Sequence, residues 1–101
     1  MLDIAILDDS GRPAFVRGLG TAEHEALIQL AETRGASYLL RFRDYYGDAT
    51  IDVYELGGFR DELRRLLDSS PAAAIAEVAR ALDELAVKAQ AEGKKIVAIA
   101  D

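Results

Sequence analysis

The pattern that most constrains this chain runs from Pro71 to Glu92. Ile75, Val78, Ala79, Leu82, Leu85, Ala86 and Ala89 recur at three- and four-residue steps, which places them on one stripe of an α-helix. Ser70 is expected to cap the first turn. Pro71 suits the first helical position, where the N–H it lacks would have no partner. Gly93 supplies a left-handed stop, and Lys94 and Lys95 follow just past the negative end of the helix dipole. Alanine makes up much of the stripe, so this helix should lie close against a flat partner, most simply a β-sheet.

The remaining elements are read against that helix. Leu2 to Leu7 alternates as a strand, with Leu2, Ile4 and Ile6 on one face. Asp8-Asp9-Ser10-Gly11 is a turn signal, and Ala14 to Arg17 returns as a second strand. Pro13 cannot donate to a ladder, so this strand should be short or at a sheet edge. A helix follows from Thr21, read as its N-cap, with Leu27, Ile28, Leu30 and Ala31 as the apolar face and Gly35 as the stop. Tyr38, Leu40 and Phe42 then alternate with Leu39, Arg41 and Arg43, and Ile51 and Val53 alternate with their neighbours, which predicts a hairpin turning at Tyr46-Gly47-Asp48. Gly57-Gly58 breaks it. Phe59, Leu63, Leu66 and Leu67 define a short second helix. Ile96 to Ala100 is apolar on both faces, as an interior strand would be.

The chain is thus expected to be a single α+β domain over residues 1–101, in the order β-β-α-β-β-α-α-β. About five strands would form one mixed sheet, with the helices on one face and the first and last strands as central neighbours. A chain of 101 residues is long enough for one modest core.

Composition narrows function mainly by exclusion. The absence of cysteine removes disulfides, thiolate metal sites and thiol nucleophiles, and fits a reducing compartment. No basic leader precedes the first apolar run and no apolar run is long enough to span a bilayer, so a cytoplasmic location is expected and a membrane role is not. The net charge is −6, from 12 basic and 18 acidic residues, which offers nucleic acid no attraction and favours a basic partner. Nine arginines against three lysines suggest the coding bias of a GC-rich bacterial genome.

All four tyrosines, Tyr38, Tyr45, Tyr46 and Tyr54, fall within the predicted hairpin. Tyrosine and arginine are enriched at protein-binding hot spots, so Arg41, Arg43, Tyr45 and Tyr46 form the candidate partner surface, with Asp44 and Asp48 steering a basic partner. Aromatic pairing across the hairpin explains the same residues without a partner, with Arg41 and Arg43 paired to Asp52 or Glu55. Gly20 and Thr21, and Gly58 and Arg60, precede helix starts where an anion could sit. Neither stretch is a nucleotide fingerprint, and helix capping explains both.

His24, the sole histidine, is read as a hydrogen-bonded residue at the edge of a helix face, and Asp8 and Asp9 as turn formers rather than cation ligands. Charges from Arg60 to Arg65 are read as a solvated helix face. No catalytic residue, metal site or cofactor is expected. The reading is a small acidic protein-binding domain of the inhibitor, immunity-protein or adaptor kind, with a homodimer through an exposed strand edge as a separate expectation. The alternative is a small-molecule or anion-binding regulatory domain using the glycine-capped helix starts.

Overall fold

The computed structural model describes residues 2–100; Met1, with the leader reading that begins at it, and Asp101 lie outside the described residues. Strands β1 (Leu2–Leu7) and β2 (Pro13–Leu19) lead into helix α1 (Thr21–Arg34). A 3-10 turn at Leu39–Phe42, strand β3 (Ala49–Ile51) and a second 3-10 turn at Val53–Glu55 follow. Helices α2 (Leu56–Asp68) and α3 (Ala73–Glu92) and strand β4 (Ile96–Ala100) complete the chain.

The sheet has four strands in the order β2-β1-β4-β3. Every neighbouring pair is antiparallel, so the sheet is not mixed and not five-stranded. The missing strand is the one expected over Tyr38–Arg43, which coils instead. As a result β3 pairs with β4 rather than closing a hairpin with the segment before it. The first and last strands are the two central ones, as their apolar character requires.

Register divides the sheet into two faces. Leu2 lies opposite Leu19 and Ala100, Ile4 opposite Ala98, and Ile51 opposite Ile96, so these residues share one face with Ile6. That face joins the core with Leu27 and Ala31 of α1, Leu56, Phe59, Leu63 and Leu66 of α2, and the α3 stripe. The other face carries Asp3, Ala5, Val16, Val97, Ile99 and Thr50, none of which belongs to that core. The double-sided apolarity of β4 therefore reflects a central position, with one face under helices and Ile99 half-buried on the other.

Helix α3 packs against α2 and across β2, β1 and β4. Val78, Ala79, Leu82, Leu85, Ala86 and Ala89 are buried as the spacing predicts. Full burial of Leu82 alone contributes about 1.5–3 kcal/mol of transfer free energy. Gly93 ends the helix in the left-handed region at φ 65°. The N-terminus differs from expectation: the cap is Ala72, and Ser70 turns left-handed at φ 55° instead of capping. Its backbone N–H donates to Leu67, so Ser70 belongs to the α2–α3 corner and Pro71 lies before the helix rather than in it. Thr21 likewise is the first residue of α1 and Gly20 is the cap. Strand β2 runs through Gly18 to Leu19 and is longer than expected, although it does lie at the edge.

Candidate functional site

The segment between α1 and α2 carries the predicted partner residues, and its shape is set from a distance. Gly35 turns the chain at φ 68°, and Leu39 and Phe42 bury at a three-residue step, the period of a 3-10 turn rather than a strand. Glu62 of α2, only 5% exposed, accepts the backbone N–H of Tyr38 at 3.0 Å and of Leu39 at 2.9 Å. Those are donors that the start of a helical turn leaves free. Glu62 is therefore an interior cap, not part of a solvated charged face.

Arg41 leaves this turn and meets Glu55 through both guanidinium nitrogens, one at 2.7 Å, and it also donates to the Thr50 carbonyl of β3 at 3.2 Å. Its guanidinium lies 5.1 Å from the centre of the Tyr38 ring. Paired first with Arg41 and then with the Asp52 N–H, Glu55 has its carboxyl held down to about 2. The Arg41–Glu55 pair expected across a hairpin thus exists without the hairpin. It fixes Arg41 in place and braces β3.

Tyr45 turns inward. Its hydroxyl donates to the Leu19 carbonyl at 3.1 Å, and its ring meets His24 edge-on at 4.9 Å. His24 is buried, and its Nε2–H donates to the Phe42 carbonyl at 2.6 Å, which identifies the protonated nitrogen. Tyr46 turns outward and is 78% exposed. Asp44 accepts the Tyr46 N–H at 2.9 Å, and the two tyrosine rings meet edge-on at 5.3 Å, so the base of Tyr46 is held although its ring is in water. Arg43, Asp44 and Asp48 are exposed around it, and Asp48 approaches the Ala100 N–H at 3.4 Å. At the other end of β3, Tyr54 stands 86% exposed on the 3-10 turn that Glu55 anchors.

The structure therefore splits the predicted surface. Arg43, Asp44, Tyr46 and Asp48 face solvent, whereas Tyr45 packs inward and Arg41, itself exposed, is tied to Glu55 and the Thr50 carbonyl. Sequence reasoning missed the buried capping role of Glu62, the second bond of Glu55 to the Asp52 N–H, and the exposure of Tyr54. Asp52-Val53-Tyr54-Glu55 has the spacing of a capping box, a signal for the second turn. Nothing local signals Glu62, because its partners lie more than twenty residues away.

The helix starts are already occupied by the chain's own groups. The Gly20 N–H donates to Glu23, whose other oxygen pairs with Arg17 at 2.9 Å. Gly58 lies inside the first turn of α2, not before it, and a Cβ there would stand 2.8 Å from the Tyr38 hydroxyl. Arg60 binds Asp83 of α3 at 3.0 Å and Gln90 at 3.3 Å. Asp8 binds the backbone N–H groups of Ser10 and Arg12, both at 2.9 Å, and the Ser10 hydroxyl holds its carboxyl below the ordinary value. A cleft of about 470 Å3 opens near that turn, lined by Leu7, Asp8, Val53, Lys94 and Lys95. Among the described residues, no helix is long and apolar enough to cross a membrane.

Fold and surface together define a small α+β domain with one antiparallel sheet. No protein-family model, curated protein or solved structure matches the chain.

Proposed function

We propose that this chain is a non-enzymatic protein-binding domain whose partner meets the surface from Arg43 to Tyr54. The observation that supports this reading is the pair Tyr46 and Tyr54, two large aromatic side chains standing in water on turns braced from below by Asp44 and by Arg41–Glu55. Such a side chain offers broad contact area and loses little freedom on binding, the property that makes tyrosine a frequent hot spot. Asp44, Asp48 and Asp52 each lie within two residues of Tyr46 or Tyr54 in the chain, and the whole chain carries −6, so the partner is basic. Size and charge suit an inhibitor, an immunity protein or an adaptor acting in the cytoplasm.

The test is affinity capture from the host's own extract, comparing the natural chain with Tyr46→Ala and Tyr54→Ala. A hot-spot tyrosine removed should weaken retention about 30-fold. Equal retention after both replacements removes the reading.

A second reading rests on the cleft beside the Val53–Glu55 turn, whose volume of about 470 Å3 falls within the range of small-ligand sites. Its lysines and aspartates would suit a small ligand bearing both charges. Thermal-shift screening against free amino acids tests it, and a flat response across the panel removes it.

A further inference from the structure

The two edges of the sheet are built differently, and the difference points to a second copy of this chain. Edge strand β3 is three residues long, and the carbonyl of its middle residue, Thr50, already receives Arg41. Edge strand β2 is seven residues long, and its exposed stretch includes Phe15 at 37% and Val16 at 51%. Natural edges are commonly blunted by shortness, charge or a covering side chain. On β2 that purpose is served by Pro13, by Arg17 and by the irregular register at Ala14, where Phe15 pairs with Ile6 but Pro13 with Leu7. Pro13 stands at the first position, and Arg17 turns aside to Glu23 at 2.9 Å. Among the described residues, Phe15 and Val16 pair with β1 alone and keep a regular outer edge.

Beside that edge, a cleft of about 400 Å3 separates β2 from α3. Phe15 and Val16 line one wall, and Glu84, Leu85 and Lys88 the other. Lys88 lies 3.8 Å from the centre of the Phe15 ring, so α3 reaches over the edge strand at this point. We infer that two copies pair through β2, antiparallel about a two-fold axis normal to the sheet at Val16. The pairing joins two four-stranded sheets into one. It also sets the two α3 helices side by side and antiparallel on the same face. Glu84 of one copy then faces Lys88 of the other, and the same pair recurs across the axis. A closed two-fold interface must be complementary to itself, and this strip of opposite charges spaced by one helical turn meets that requirement. Arg17, neutralised by Glu23, does not repel its twin.

The experiment is sedimentation equilibrium of the full chain at concentrations up to about 1 mM, the weak end of specific association. The natural chain should show a reversible dimer. Val16→Lys places two ammonium groups at the axis and should leave a monomer. Glu84→Lys and Lys88→Glu each place like charges opposite one another and should weaken the dimer about tenfold or more. The double exchange Glu84→Lys with Lys88→Glu should restore it, an outcome that altered folding would not produce. Because the chain has no cysteine, Val16→Cys gives an independent reading: oxidation should yield one covalent dimer, while Tyr54→Cys should not. A natural chain that stays monomeric overturns the inference. So does a dimer unaffected by Val16→Lys, or a double exchange that fails to recover association.

Discussion

The carboxylate of Glu62, on α2, accepts the backbone N–H of Leu39 at 2.9 Å across 23 positions of sequence. With the neighbouring bond to Tyr38, it decides that the segment after α1 coils instead of extending. The Leu39 donor would otherwise be buried without a partner, and the Tyr38 donor half-buried without one. Glu62→Ala should therefore destabilise the fold by about 2–3 kcal/mol, and Glu62→Gln by about 1–2 kcal/mol, since the amide keeps one acceptor and turns a donor toward an N–H. Urea unfolding followed by circular dichroism reads both values. A loss within error of zero for Glu62→Ala would show that the turn does not depend on this cap.

Arg41 and Glu55 predict a distinct acid response. The Glu55 carboxyl is held down to about 2 against an unfolded value of 4.5. Its contribution is complete above 4.5 and is lost as pH falls toward and through 2, because within that window the unfolded chain binds a proton that the folded chain does not. Arg41→Ala should lower stability at neutral pH and flatten the fall of stability between pH 4.5 and 2. Unfolding midpoints measured across that interval test it. Parallel curves for the two proteins would deny the pair its role.

His24 gives a third prediction. Its imidazole donates to the Phe42 carbonyl and supports Tyr45 edge-on. His24→Phe keeps the ring but leaves a buried carbonyl without a donor, at a cost of about 1–3 kcal/mol. The same change should loosen Tyr45, visible as faster hydrogen exchange over residues 43–47. Unchanged stability and exchange would show that the carbonyl finds another partner.

Much of this architecture is legible in the residues alone, and the boundary of that legibility has a physical cause. Helix α3 declares itself because seven apolar positions repeat from Ile75 to Ala89, and Gly93 ends it where a left-handed residue is needed. Strands β1 and β4 declare themselves by apolar runs bounded by turns and by charge. The segment from Tyr38 to Arg43 misleads, since Tyr38, Leu40 and Phe42 alternate while the residues that bury are Leu39 and Phe42. A period of three and a period of two cannot be separated over six residues. The deciding bonds come from Glu62, which no local pattern contains. Gly57-Gly58 misleads in the same way: the pair reads as a break, yet α2 runs through it because the missing Cβ makes room for Tyr38. For the candidate site, the sequence places Tyr46, Asp44 and Asp48 in one exposed stretch. It could not show that Tyr45 turns inward, that Arg41 is tied to Glu55 and Thr50, nor that Tyr54 joins Tyr46 as the second exposed ring.

The claim that a partner meets Tyr46 and Tyr54 is tested most directly by site-specific photo-crosslinking. A benzophenone side chain replaces each tyrosine in turn, and a third protein carries it at Val87 of α3, also exposed but remote in sequence from the surface. Irradiation in host extract should join the same basic protein to positions 46 and 54, with the adduct suppressed by excess unlabelled natural chain and absent at position 87. A basic protein other than a second copy of the chain, captured at position 87 and at neither tyrosine position, would contradict the account.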